Sequence, residues 1–150
     1  MLGRLAKWLR ILGYDTLYNP TWSDAQLARL ARAEDRILLT RDLGLAKRRG
    51  VRVLVIADED LPSQLDQLHR ELGLQAVSPL SRCPACNEPL EEIPKDRAWG
   101  QVPPYVFCTQ DEFRLCPACN RFYWRGTHWQ RMQQVMARWS SSLPPASRAT

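Results

Sequence analysis

Four of the five cysteines fall into two identical CPAC motifs. Each motif can present two thiolates to one ion from a tight turn, and two such turns complete a tetrahedral site. A redox dithiol is the alternative, which the matched pair of motifs disfavours. Between the motifs, two prolines and the stretch YVFC (residues 105–108) predict the short strands of a zinc ribbon. The predicted ligands of a structural zinc ion are Cys83, Cys86, Cys116 and Cys119.

The remaining residues of this region could contact a nucleic acid or pack the ribbon itself. The fifth cysteine, Cys108, is predicted to be a small buried hydrophobe. His128, in the stretch WRGTHW, either contacts a phosphate or base or packs among its aromatic neighbours. Aromatic residues that alternate with arginines can stack on bases, or they can form the core of a small ribbon. The aromatic residues in question are Tyr123, Trp124 and Trp129, beside Arg121, Arg125 and Arg131.

A second group of residues that could do chemistry is acidic and lies in the first third of the chain. Asp42 ends the stretch RILLTRD, past the carboxyl end of a predicted strand, where the sites of parallel α/β sheets form. Asp24 stands at the first turn of a predicted helix, and Asp15 stands at another predicted strand. Brought together, these acids could hold Mg²⁺ or Mn²⁺, which favour oxygen ligands and promote hydrolysis of phosphodiesters.

Each acid also has a purely structural interpretation. Asp24 could favour the positive end of its own helix, and Asp42 could cap the helix predicted to follow it. Asp15 could serve a turn. The spacing of the three acids leaves both interpretations open.

The elements that must position these residues follow from the apolar pattern. Ser23 and Gln26 form a predicted capping box at the start of one helix. Helices and strands alternate up to about residue 77, which predicts a parallel sheet with helices on its faces. After residue 79 the composition changes, so a domain boundary is predicted within residues 76–81. The helices are predicted over residues 1–12, 24–33, 43–49, 62–72 and 130–139, and the strands over 15–18, 36–40 and 51–57.

The charge balance favours an acidic partner. The net charge is +5 and the isoelectric point is near 9.2, and nucleic acid is the commonest partner of such proteins. The dense cluster KRRGVR (residues 47–52) is either part of that contact or a solvated helix end. No apolar run reaches the roughly 18 residues that span a membrane, so a cytoplasmic protein without a membrane partner is expected.

Four long stretches resemble the Mut7-C family: MLGRLAKWLRILGYDTLY, SDAQLARLARAEDRILLTRD, SRCPACN and CPACNRFYWRGTHW. That family is similar to PIN-domain ribonucleases and carries a C-terminal zinc ribbon. The resemblance implies a PIN-like α/β domain over residues 1–78, a four-cysteine ribbon over 79–139 and a disordered tail over 140–150. It also implies metal-dependent cleavage of RNA, with the ribbon assisting RNA binding.

The resemblance also implies roles for individual residues. Asp24 and Asp42 match acidic family positions and would hold the catalytic Mg²⁺ or Mn²⁺. Asp15 in GYD matches a further family position and joins the catalytic set. The basic residues implied to lie near the substrate phosphate are Arg4, Arg10 and Arg41.

One departure from the family pattern concerns the first strand. Family members usually carry a short apolar strand that ends in an aspartate just before MLGRLA, whereas this sequence starts at Met1. We therefore expect either an upstream start or a site with one ligand fewer, whose exposed sheet edge invites another protein chain. The alternative to the ribonuclease is a catalytically inactive PIN-like and zinc-ribbon module that binds RNA or protein.

Overall fold

The computed structural model describes residues 2–75 and 80–142. The first part is a mixed α/β unit whose two strands pair in parallel, with Ile37 opposite Arg52 and Thr40 opposite Val55. A single 3-10 turn, Leu45–Lys47, lies between the strands. In chain order the labelled elements are α1 (Gly3–Ile11), α2 (Asp24–Ala33), β1 (Ile37–Thr40), β2 (Arg52–Val55) and α3 (Leu61–Leu72).

Local signals in the sequence set the ends of these helices. The Ser23 hydroxyl accepts from the Gln26 amide at 3.2 Å, and the Gln26 side chain accepts from the Ser23 amide at 2.8 Å, which confirms the predicted capping box. The Asp60 carboxylate caps α3 by accepting from the Ser63 amide at 3.0 Å. Gly73 ends α3 in the left-handed conformation, with φ of 70°.

The backbone at the end of β2 is completed by a side chain of α3. Gln67 accepts from the Ala57 amide at 2.9 Å and donates to the Val55 carbonyl at 2.8 Å. The Ile56 amide donates to the Thr40 carbonyl at 2.7 Å and so extends the parallel pairing. These bonds hold the carboxyl ends of both strands, and Asp42 was predicted to lie just past one of them.

The second part of the chain is a three-stranded antiparallel ribbon. Its strands are β3 (Glu91–Ile93), β4 (Phe113–Leu115) and β5 (Phe122–Tyr123), in the order β3-β4-β5. Between β3 and β4 lies the short helix α4 (Pro104–Thr109). The ribbon has its own core, which consists of Ala98, Val102, Val106 and Phe113.

A final helix, α5 (Thr127–Ser142), returns from the ribbon to the first part of the molecule. Trp129 is buried in the main core, together with side chains from α1, α3 and the end of β2. The helix predicted over residues 130–139 is therefore present and longer. Other members of this core are Leu5, Leu9, Leu12, Ile56, Leu65 and Leu68.

Two local predictions for the first part were wrong. Residues 15–18 form no strand, because the Thr16 amide and carbonyl bond to Asn87 and Arg10 instead of a neighbouring strand. Residues 43–49 hold only the 3-10 turn, because the backbone is already extended at Arg48 and Gly50 follows in a left-handed conformation, with φ of 75°.

The extended conformation predicted for YVFC was also wrong, because these residues lie in α4. Pro104 takes the first helical position, where its missing N–H costs nothing and its fixed φ is suitable. In this helix Val106 packs with Val102 and Phe113 in the core of the ribbon.

The connection between the two parts is only partly described. The predicted boundary falls largely on residues 76–79, and the predicted tail largely on 143–150, which both lie outside the described residues. The Leu80 amide donates to the Ile11 carbonyl at 2.8 Å and so joins the start of the ribbon to α1. Within residues 2–75 and 80–142, no helix is long and apolar enough to cross a membrane.

Candidate metal centre and candidate active site

The four cysteines of the two CPAC motifs converge on one point of the ribbon. Their sulfur atoms all lie within 4.8 Å of one another. Cys83 Sγ lies 3.6 Å from Cys119 Sγ, and Cys86 Sγ lies 3.3 Å from Cys116 Sγ. A tetrahedral ion with bonds of about 2.3 Å to sulfur requires sulfur separations of roughly 3.8 Å. The cysteines are therefore positioned to bind a metal ion, and four thiolates are the ligand set of structural zinc.

Both halves of this site are built by the same five-residue turn, CPACN. Asn87 and Asn120 follow the two motifs and adopt left-handed conformations, with φ of 71° and 58°. Their amides donate to the carbonyls of Cys83 and Cys116, each at 2.8 Å. Asparagine tolerates this conformation better than most residues, so it lets each turn close behind its second cysteine.

The thiols of this cluster differ in acidity. Burial acts to raise the pKa of Cys83, but hydrogen bonds from Tyr123 and from the backbone amides of Cys86 and Ala85 outweigh it and lower the pKa to about 7. Burial raises the pKa of Cys86 to about 12. The Tyr123 hydroxyl lies 3.0 Å from Cys83 Sγ. A bound divalent cation would stabilise all four groups as thiolates, because metal binding displaces their protons.

The acids of the candidate active site surround a single large cavity. Asp24, Asp42 and Asp15 all contribute to its wall, and its volume is about 1040 Å³. The wall also includes apolar side chains of α1, α2, β1 and α3. Asp24 and Asp42 are exposed. The structure thus places the three predicted acids at one opening.

The carboxylate of Asp42 is oriented by its own turn. The Asp42 amide donates to the Thr40 hydroxyl at 3.0 Å, and the Gly44 amide donates to Asp42 Oδ1 at 2.8 Å. Asp24 begins α2, but Ser23 already satisfies the exposed amide of that helix end. Across the two described ranges, Asp24 forms no hydrogen bond or ion pair, so its carboxylate is open to a ligand.

Asp15 faces the ribbon as well as the cavity. It accepts from Arg36 at 2.9 Å and from the Asn87 side chain at 2.6 Å. The Arg36 hydrogen bond is the main reason why the pKa of Asp15 lies below its usual value. In the described part of the chain, the cysteines form the one group of three or more possible ligands that lies close enough for a metal ion. The three acids therefore do not assemble into a three-carboxylate shell.

The predicted phosphate-binding arginines lie in different environments. Arg10 is only 8% exposed and donates to the carbonyls of Thr16, Pro84 and Ala85. Burial lowers the pKa of Arg10.

The other two candidates are more accessible. Arg41 lines the cavity and donates to the Asp58 carbonyl, with Glu59 at 3.7 Å. Arg4 is exposed on α1. Contact of any of the three arginines with substrate stays a prediction.

The ribbon aromatics mostly pack the protein. Trp124 lies edge-on to Phe113, with ring centroids 6.3 Å apart, while Tyr123 contacts the cysteine site and Trp129 is buried. Cys108 is exposed on α4, so the prediction that it is buried was wrong; Val106, not Cys108, faces the core. The side chain of His128 lies outside the described residues, and its predicted phosphate contact stays a prediction.

Sequence reasoning missed Asn87, which joins the two parts of the molecule. Its side chain is buried, accepts from the Thr16 amide at 3.0 Å and donates to Asp15. The signal available in the sequence was the asparagine that follows each CPAC motif. It indicated the turn, but it could not indicate the contact with a residue 72 positions earlier.

The fold and the site define a class of protein: an α/β unit with a small parallel sheet, followed by a ribbon whose four cysteines are positioned to bind a metal ion. The model of the Mut7-C RNAse domain matches residues 1–136, and the chain belongs to this family. No curated protein and no solved structure matches the chain.

Proposed function

We propose that the protein is a Mg²⁺- or Mn²⁺-dependent ribonuclease with a PIN-like catalytic domain. The observation that supports the proposal is that Asp24 and Asp42 line the same cavity. The chain that carries this cavity belongs to an RNAse-domain family. Asp42 follows the carboxyl end of β1, where parallel sheets hold their ligands.

Two carboxylates are a suitable donor set for Mg²⁺. This ion is commonly held by one or two carboxylates, while water and substrate phosphates supply the other ligands. When bound, such an ion activates water and neutralises the charge of the phosphodiester. The protein's own contribution is orientation: the Gly44 amide holds Asp42 Oδ1, and the start of α2 presents Asp24.

We further propose that the ribbon carries structural Zn²⁺ and assists RNA binding from its second half. Arg121, Arg125 and Arg131 are exposed there, and the Arg125 guanidinium lies 5.3 Å from the ring centroid of Trp129. The described cysteines form no disulfide, which suits the reducing cytoplasm.

A strand from another protein chain is the second partner that we propose. The described part of the first sheet has only two strands, so β1 and β2 each keep one unpaired edge. Edges of this kind pair readily with a further strand. Sedimentation over a range of protein concentrations tests for pairing between copies of this chain.

The second candidate function is an inactive module that binds RNA or protein. It is favoured by the dispersal of the acids, since Asp15 is engaged with Arg36 and Asn87. Asp42 then acts only as the cap of its turn, by accepting from Gly44.

Cleavage of a labelled single-stranded RNA, with Mg²⁺ or Mn²⁺ added, separates the two functions. We expect cleavage by the wild-type chain and its loss in Asp42→Asn. Asp35→Asn is the matched control, because Asp35 lines the same cavity and already adopts a conformation that asparagine tolerates, with φ of 52°. Chelation alone is ambiguous, because a chelator can also withdraw the ribbon's metal. Activity lost on chelation must therefore return with Mg²⁺ or Mn²⁺ and not require Zn²⁺.

RNA that is bound but left intact by the zinc-loaded wild-type chain, with either ion, would support the inactive module. Equal cleavage by wild type and Asp42→Asn would remove Asp42 from the site.

A further inference from the structure

Five basic side chains form an exposed surface beside the acid site, which we call the basic surface. Arg29 and Arg32 lie one turn apart on α2, and three more basic residues stand in a row that begins with the last residue of the 3-10 turn. All five are exposed. The members of the basic surface are Arg29, Arg32, Lys47, Arg48 and Arg49.

Packing beneath this surface brings its two halves together. Ala31 of α2, Leu38 of β1 and Leu45 of the 3-10 turn share one buried cluster. This cluster holds the turn against α2. Above it, a Cβ built on Gly50 would lie 3.4 Å from Cδ of Arg32. The basic residues of α2 and of residues 47–49 therefore adjoin, although 15 positions separate Arg32 from Lys47 in the chain.

Nearby acids do not neutralise the basic surface. Glu34 is paired with Arg36 at 3.2 Å, and Asp35 is paired with Arg52 at 3.2 Å. Within the described ranges, none of the five members forms an ion pair. The charge is therefore available to an external polyanion.

We propose that the basic surface binds the phosphate backbone of RNA and leads it to the cavity at Asp42; this rests on the proposed ribonuclease function. The Leu45 amide donates to the Asp42 carbonyl at 3.2 Å, so Asp42 lies directly before the 3-10 turn. The last residue of that turn, Lys47, belongs to the basic surface. A bound backbone would thus pass from α2 to the acids over one turn of chain. The surface contains no aromatic residue, so it would hold RNA without regard to base.

The middle of the ribbon, residues 88–112, offers no equivalent surface. Residues 88–112 carry six acids and only two basic residues. Trp99 and Tyr105 are exposed there, at 66% and 72%, but their acidic surroundings repel phosphate. The charge distribution therefore favours the α2 side of the molecule over residues 88–112 for contact with RNA.

The test is the salt dependence of RNA binding by Lys47→Gln/Arg48→Gln/Arg49→Gln. Fluorescence anisotropy with a single-stranded oligonucleotide is measured without added Mg²⁺ or Mn²⁺, and a gel confirms that the RNA stays intact. Each phosphate contact contributes about −0.7 to the slope of log K against log salt for a single strand. We expect the slope to become shallower by about 2 and the affinity at about 0.1 M salt to fall at least about tenfold.

The control carries the same change of net charge at exposed residues on three other elements. It is Lys7→Gln/Arg70→Gln/Arg97→Gln, and we expect the wild-type slope from it. A second variant, Arg29→Gln/Arg32→Gln, removes the other half of the basic surface and should also make the slope shallower, by less than the triple variant because it removes two charges and not three. Circular dichroism and zinc content confirm that each variant is folded.

Equal slopes for the Lys47 triple variant and its control would overturn the proposal and would leave general electrostatic attraction as the cause of binding. Failure of the ribonuclease function looks different, because RNA then stays intact with Mg²⁺ or Mn²⁺ while the slopes still separate. If the wild-type chain cleaves RNA but substitution of the five basic residues leaves RNA binding unchanged, only the proposed role of the basic surface is overturned. An acidic protein then becomes the candidate partner of this surface.

Discussion

The cysteine site of the ribbon and the acid site of the first part differ in how their ligands are assembled. The cysteines come from two copies of one short turn, and their sulfur atoms lie within 4.8 Å of one another. The acids come from the start of α2, the end of β1 and an irregular segment, and they surround a cavity of about 1040 Å³. The two local turns supply all four ligands of a tetrahedral metal ion. The acids, which come from separate elements, supply fewer ligands, so coordination positions remain for water and substrate.

The burial of the two sites agrees with this difference. Cys83 and Cys116 are fully buried, and Cys86 and Cys119 are partly buried. Asp24 and Asp42 are exposed, and among the residues that the structure describes only Gly44 bonds to the Asp42 carboxylate, at one oxygen. The comparison predicts that changes at the cysteine site act on folding, and that changes at the acid site act on activity.

The largest expected effect comes from Cys116→Ser. Structural zinc contributes on the order of 10 kcal/mol to the folding of small modules, so this variant should lose stoichiometric zinc and the ribbon fold. Zinc analysis and tryptophan fluorescence measure both. Cys108→Ser is the matched control, because Cys108 is exposed on α4 and lies outside the cluster. Loss of zinc from the Cys108 variant would contradict the assignment of ligands.

At the acid site, Asp24→Asn and Asp42→Asn should each slow RNA cleavage by about 100-fold or more, since even groups that only support a metal's ligands are worth about 10–100-fold. If both carboxylates hold one ion, the double variant loses no more than the worse single variant. Single-turnover rates measure this, and thermal unfolding should show little change in stability. Losses that multiply in the double variant would mean that the two acids act separately.

The contact between the two parts gives the next effect, through Arg10→Ala. Removal of this buried guanidinium leaves three carbonyls without their donor, which should lower the free energy of unfolding by about 2–3 kcal/mol. Urea denaturation measures the change. Arg4→Ala lies on the exposed side of the same helix and should stay within about 0.5 kcal/mol of wild type. Equal losses from both variants would deny Arg10 its structural role.

The smallest effect is the pH dependence that Asp15 contributes. Its pKa is lowered in the folded state by Arg36, so the stabilisation is present above the ordinary carboxyl pKa of about 3.9 and is lost as pH falls through the folded value. Asp15 is 45% exposed, so Asp15→Asn should cost less than about 1 kcal/mol at neutral pH. The gap between wild type and variant should be constant from about pH 5 to 8 and close at lower pH.

Arg36→Gln checks the origin of that pH dependence. It removes the main cause of the lowered pKa, so Asp15→Asn should add little further pH dependence in this background. If the difference in stability between wild type and Asp15→Asn widened toward acid pH, the pH dependence would have the opposite sign. The ion pair with Arg36 would then be excluded as its cause.

Much of the fold was predictable because its signals are local. The Ser23 capping box, the end of α3 at Leu72 and the short apolar strands β1 and β2 all appear where the sequence pattern indicated. Residues 15–18 were mispredicted as a strand, because the backbone hydrogen bonds of Thr16 go to the side chains of Arg10 and Asn87 and not to a neighbouring strand. No local pattern reveals a partner so distant in the chain.

The candidate sites divide in the same way. Two CPAC motifs sufficed to predict four ligands, because each turn fixes the spacing of its own pair of thiolates. The acids could be named as candidates, but their separation depends on how α2, β1 and the ribbon pack. The same holds for Arg10: the family resemblance implied a phosphate contact for it, while its guanidinium is buried among carbonyls.

The sequence by itself determined α1, α2, α3, the two short strands β1 and β2 and the cysteine ligands, since the signal for each lies in residues a few positions apart. Only the tertiary structure decided which charges meet: it paired Asp15 with Arg36, buried Arg10 and placed Arg32 beside the segment that ends at Gly50. The physical reason is that hydrogen bonds and charge interactions act over a few ångströms in space, and the folded chain alone sets those distances.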